Sequence, residues 1–299
     1  MFVKLFKYEF RHNAVLNMIL AAVALGLAVV AGVGFGAMTE LMTNMAEYSV
    51  SVEDALLMLF AELGLQLLYY VCVLGISGFV IAVMGMNIWR FYKHKFTDEG
   101  YLTFTLPVKT SHLWWSSFLS NLLWQLIAYG VVWVCGSVVA AIYLAWIVPL
   151  SDWKDFFSFF AQLKWEDWQM FFQGLEEIFG WFKDVPGLGL YLFLYSLVWP
   201  LALLVTVTLP MTCVTVGSVL VKRCKLLLSI GIYVVVTEIL GALAYCAIVV
   251  PLVATIASME YLFLWMSLYM LFVLGLYAAV VVGGNWLSLH LMKKKLNLP

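Results

Sequence analysis

The sequence predicts an all-α polytopic membrane protein: six transmembrane helices, an N-terminal interfacial helix, a polar cytosolic turn and amphipathic outer helices. Three observations carry that prediction. Hydrophobic residues make up 65% of the 299-residue chain and charged ones 11%, whereas soluble domains carry roughly 25% charged residues and need a polar skin. Six apolar stretches reach the roughly 20 residues that cross a hydrocarbon core of about 30 Å. They are continuous Leu/Val/Ala/Ile runs without period-two alternation, so they read as helices rather than barrel strands.

The first element is residues 1–12, MFVKLFKYEFRH, with Phe2, Leu5, Phe6 and Phe10 on one side and Lys4, Lys7 and Arg11 largely elsewhere. That pattern suits a helix lying in the inner interface, as an anchor or as a docking face. The first apolar run, near 14–37, exceeds the roughly 7–15 residues of a signal-peptide core and reads as an uncleaved span. Ser51 to Asp54 resembles a capping box. A helix starting there and running to residue 89 would be roughly 55–60 Å long, so part of it should project or tilt, with the second span near 63–89.

A polar segment, 90–112, precedes the third span near 113–149. Residues 151–185 then interleave aromatics such as Trp153, Phe156 and Trp168 with acids such as Asp152, Glu166 and Glu176. One or two helices lying flat on the outer leaflet are expected there, because Trp and its relatives favour the headgroup zone; a substrate-capturing surface is the sharper reading. Pro186-Gly187 should end this insert. The fourth span, near 187–220, contains Pro200 and Pro210, each of which removes a backbone donor and makes a static kink or a candidate hinge. The fifth, near 226–250, contains Glu238 after Thr237. A carboxylate at that depth costs about 2.5–3.5 kcal/mol, so it should face the bundle interior, hydrogen-bonded or lining a translocation path. VPLVATIASMEY, residues 250–261, suits an apolar hairpin dipping into the outer leaflet, and the sixth span lies near 261–291.

Lys and Arg fix the orientation. Lys4, Lys7 and Arg11, then Arg90, Lys93, Lys95 and Lys109, then Lys222, Arg223 and Lys225, and finally Lys293, Lys294 and Lys295 all fall on one side. The positive-inside rule therefore puts both termini in the cytosol of a multi-pass plasma-membrane protein. The formal net charge of −1 is uninformative, because the charges are sorted by side. Cys72, Cys135, Cys213, Cys224 and Cys246 are dispersed without a CxxC pair and read as packing residues. No phosphate-binding GxxxxGK[ST] loop, GxSxG or HExxH occurs; Gly283-Gly284 reads as helix packing or local flexibility. The expectation is a chain that is not an enzyme, with no cofactor or metal of its own and no nucleic-acid partner.

The most informative stretch is TDEGYLTFTLP, residues 97–107. Gly100 permits a tight turn, Pro107 punctuates the following helix, and two acids stand out against the basic surroundings. FTDEGYLTFTLPVKTSHLWWSSFLS, residues 96–120, resembles the EGYLTxTLPV loop of type-2 ABC transporter permeases of Gram-positive bacteria, and KLFKYEFR, residues 4–11, is similar to their starts. The resemblance implies that Asp98, Glu99, Gly100 and Tyr101 form a motor-coupling turn, with Leu106-Pro107 leading into the third span. It further implies a separate ABC ATPase subunit carrying ATP and Mg, and a second permease chain as homodimer or heterodimer. The implied activity is export. The chain departs from the pattern in lacking a Lys near Ser116-Ser117 and in its long aromatic insert. The alternative function is a non-transport immunity or sensor protein using the outer aromatic surface; a lipid-modifying membrane enzyme would need a polar catalytic constellation that the sequence does not offer.

Overall fold

The structure, a computed structural model, describes residues 2–47, 52–97, 100, 109–148, 154, 158, 164–183, 185–221, 224–257 and 261–294. Among them the long elements are all helices: α1 (Phe2–Glu47), α2 (Val52–Phe96), α3 (Thr110–Ile147), α4 (Trp165–Lys183), α5 (Leu188–Leu220), α6 (Lys225–Ala257) and α7 (Leu262–Lys294). All but α4 are long and apolar enough to cross a membrane. The chain is an all-α polytopic membrane protein.

The helices are longer than the spans they contain. The stretch expected as an interfacial helix is not a separate element, because Phe2 to Glu47 is one 46-residue helix. Nothing interrupts it early: the first glycine is Gly26 and the first proline Pro107. α2 starts at Val52 and runs through Lys93, His94 and Lys95 to Phe96, basic residues that complement the negative end of the helix dipole. The capping Ser51 lies outside the described residues. α6 continues through Pro251 to Ala257, so most of the stretch expected to dip back as a hairpin is helix continuous with the fifth span.

Of the aromatic insert, α4 is described together with Lys154, Ser158, Lys164 and Val185. Asp167 starts α4 by accepting the backbone N–H of Lys164 at 2.8 Å, the reach-back half of a capping box. The turn after it holds Gly187 at φ 82°, ψ −6°, a left-handed conformation open to glycine. A Cβ there would also lie 2.8 Å from the backbone nitrogen of Leu264. α5 then runs unbroken through Pro200 and Pro210.

Two compact units make up the chain. One comprises Phe10–Met86 and Leu123–Leu163. Its core joins Ala24 and Ala28 of α1, Phe79 and Val83 of α2, and Trp124 and Ala128 of α3. The Trp124 indole donates to the Phe10 carbonyl at 3.2 Å while its ring stacks on Phe10 at 4.8 Å. α1 and α3 meet through missing side chains: a Cβ on Gly32 would come 2.9 Å from Ile142, and one on Gly36 2.8 Å from Trp146.

The other unit comprises Met1–Glu9, Asn87–Leu122 and Lys164–Pro299. Its core gathers Phe91, Phe96, Trp114, Phe118, Met211 and Met292. α5 lies so close to α7 that a Cβ on Gly284 would sit 2.8 Å from Thr212 Oγ1. Most hydroxyls here are satisfied within their own helix. Thr208, Thr212 and Thr215 donate to carbonyls four residues back, as do Ser229 and Ser267, so hydrocarbon meets few exposed O–H groups.

Candidate functional site

The polar turn is the natural place to look for function, and the structure defines how its two ends are held. Asp98, Glu99, Tyr101, Leu106 and Pro107 lie outside the described residues; Gly100 and both flanks are described. On the α2 side, Lys95 is 2% exposed, and its ammonium donates to Glu9 Oε1 at 3.0 Å. On the α3 side, the Ser117 hydroxyl lies 2.9 Å from the same Glu9 oxygen and 3.0 Å from the Leu113 carbonyl. One carboxylate at the start of α1 thus binds the last turn of α2 and the second turn of α3.

Further contacts fix the same flanks. Lys225, at the start of α6, donates to the Phe96 carbonyl at 3.1 Å, satisfying an orphan acceptor at the end of α2. The wholly buried Trp114 of α3 donates from its indole to Asn285 Oδ1 on α7 at 2.9 Å. Asn285 is oriented in turn by its own amide, which donates to the Val281 carbonyl at 2.8 Å. Phe91 and Phe96 frame the chain's exit: they stand edge-on at 5.6 Å, and Phe91 meets Trp114 in the same way.

Gly100 owes its place to close backbone approach. Among the described residues only Gly187 has a positive φ, so Gly100 is not required for a left-handed turn. Its N–H donates to the Thr97 carbonyl at 2.8 Å, and the chain folds back so tightly that a Cβ would lie 2.5 Å from the Lys95 carbonyl oxygen. That obstacle is backbone and cannot rotate away. Any side chain at this position displaces the start of the turn.

The intramembrane candidates are placed less simply. Thr237 is half-buried and donates to the Tyr233 carbonyl of its own helix at 2.8 Å. Glu238, expected to face the bundle interior, is exposed instead. The reason is rotational: α6 turns Ser229 inward, and nine residues at 100° each put Glu238 on the opposite side. Pro200 is exposed and Pro210 buried; Pro210 removes the donor that would reach the Thr206 carbonyl.

Glu9, Lys95 and Ser117 were not singled out as a set from the sequence. One signal was available, since Glu9 is the sole acid before Glu40. An apolar cavity of about 330 Å³ lies between Leu190 of α5 and Tyr261 with the first turns of α7. Its lining includes two hydroxyl-bearing residues, Tyr261 and Ser267, and Ser267 is already bonded to the Phe263 carbonyl. Among the described residues no group of three or more His, Cys, Asp or Glu side chains is placed to hold a metal ion. The chain matches no protein-family model, and no curated protein and no solved structure is significantly similar to it.

Proposed function

We propose that the chain is the membrane-spanning subunit of an ATP-driven exporter in the plasma membrane, resembling type-2 ABC permeases, with both termini cytosolic. In this reading two such chains enclose the path, and a separate ATPase subunit binds ATP and Mg and docks on residues 97–107. The observation that carries it is the anchoring of that turn. A free connector between two spans needs no buried ion pair at its base, whereas a lever that receives force does. Glu9 ties Lys95 and Ser117 to a single oxygen, so a push on the turn reaches the ends of α2 and α3 and the start of α1 together.

The test is biochemical. Tagged chain purified from its native membrane should bring down an ATP-hydrolysing subunit, and the rigorously purified chain should hydrolyse no ATP by itself. Hydrolysis by the single chain would contradict this division of labour, and so would the consistent absence of any motor subunit. Glu238→Gln should leave motor docking intact.

A further inference from the structure

We propose that α6 is the surface on which two copies of this chain meet, with Glu238 of one copy hydrogen-bonded to Glu238 of the other. The inference rests on the membrane reading and deepens the two-chain part of the proposed function by naming the partner and the contact. It does not depend on the motor.

Glu238 lies in the apolar span Lys225–Val249 of α6, thirteen residues from Lys225 and so about 20 Å along the helix. Its side chain is exposed, and no hydrogen bond or ion pair to another described residue satisfies it. The residues around it on the same face are open as well: Leu227 is 76% exposed and Tyr245 78%. Hydrocarbon offers a carboxyl neither a donor nor an acceptor, so an ionisable group at this depth needs a polar partner.

A second copy supplies that partner. Two copies inserted in the same orientation are related by a twofold axis along the membrane normal, so equivalent residues of α6 lie at equal depth, and where α6 lines that axis they face one another. A protonated carboxyl has one donor and a free acceptor. Two of them close a pair of hydrogen bonds with nothing left over, which is the self-complementarity that an isologous contact requires. A different protein would have to place its own polar group at this depth and on this line. The local shape fits: Gly231 and Ala242 flank Glu238 on the open face, and a Cβ on Gly231 would meet nothing within 4 Å. Small residues let two membrane helices approach closely enough for such bonds.

The test uses the full chain in its native membrane, with the two exposed thiols removed as Cys224→Ser and Cys246→Ser. Under copper-phenanthroline oxidation, Val234→Cys and Ala242→Cys should each give a disulfide-linked species of twice the chain mass. Leu271→Cys on α7, although 56% exposed, should not. In nanodiscs or dilute detergent, Glu238→Gln should stay paired, because an amide both donates and accepts. Glu238→Leu should weaken dimerisation by about 3- to 25-fold, the range for an interhelical hydrogen bond in a membrane. Failure of both α6 positions to cross-link in chain that is present in the membrane overturns the proposal. So does cross-linking to a partner of another mass, or a Glu238→Leu chain that pairs as tightly as the parent. Motor co-purification is scored separately: a motor without α6 cross-links sinks this contact alone, and α6 cross-links without a motor sink the transporter reading alone.

Discussion

Replacing Glu9 with glutamine should destabilise the chain far more than a change to one exposed carboxylate would. Lys95 keeps its ammonium almost entirely out of solvent, with 3% of its side chain exposed, and its carboxylate partner is 18% exposed. Removing one member of a buried pair leaves the other charge uncompensated, at about 3–5 kcal/mol. Because water reaches the edge of Glu9, the lower end applies, and Glu9→Gln should cost about 3 kcal/mol. Lys95→Met leaves the carboxylate with the Ser117 hydroxyl and some water, so its cost should be smaller, about 1–3 kcal/mol. The double variant carries no stranded charge and should be less destabilised than the sum, by at least about 1.5 kcal/mol. Equilibrium unfolding in mixed micelles, followed by tryptophan fluorescence and compared across the four chains, gives the coupling directly. Single variants each within about 0.5 kcal/mol of the parent, with additive effects as for distant sites, would refute a buried tie at the base of the turn.

Gly100→Val should reduce motor binding or coupled ATP use while leaving abundance unchanged, because its side chain would collide with the Lys95 carbonyl; normal coupling at normal abundance would reduce the turn to a connector. Glu99→Lys should act in the same direction through charge, read by the same co-purification. Gly284→Val should force α5 and α7 apart against Thr208 and Thr212, lowering stability by about 1–3 kcal/mol as overpacking does, and a thermal melt in detergent would register it. Impermeant thiol reagents applied outside cells should label cysteines placed at Thr43 and Ser158 and miss those at Thr97 and Asn297; the reverse pattern would invert the orientation.

The six spans were legible because a run of about 20 apolar residues has few other readings. Their ends were not. Helix formation stops where a breaker or an unsatisfied backbone stops it, not at the membrane surface, and residues 1–25 contain neither glycine nor proline. The tie at the turn was hidden for another reason. Glu9 lies 86 positions from Lys95 and 108 from Ser117, so no local spacing marks the set, and Lys95 looks no different from Lys93. Trp114 and Asn285, 171 positions apart, are equally silent. Glu238 shows the limit of a sound rule. A charged residue in a span avoids lipid, but the interior of one chain is not the only shelter available when chains pair. The 100° step from Ser229 was in the sequence; what was missing was which side of α6 the rest of this chain covers.

The hydroxyls that bond within their own helix have a consequence for biogenesis. Thr208, Thr212, Thr215 and Ser229 have already donated their hydrogens to carbonyls one turn back, so each helix can leave the insertion machinery before any neighbour has arrived. What such a side chain still presents is a lone pair, which waits for a donor but selects none by itself. Selection then falls to groups with hydrogens to spare, and three of them are the Trp114 indole, the Lys95 ammonium and the Asn121 amide, which reaches the Met211 sulfur at 3.5 Å. Two of these three lie on α3. When α3 enters the bilayer, its mates on α5 and α7 have not yet been synthesised. Its two donors therefore meet these partners only after the C-terminal helices have emerged.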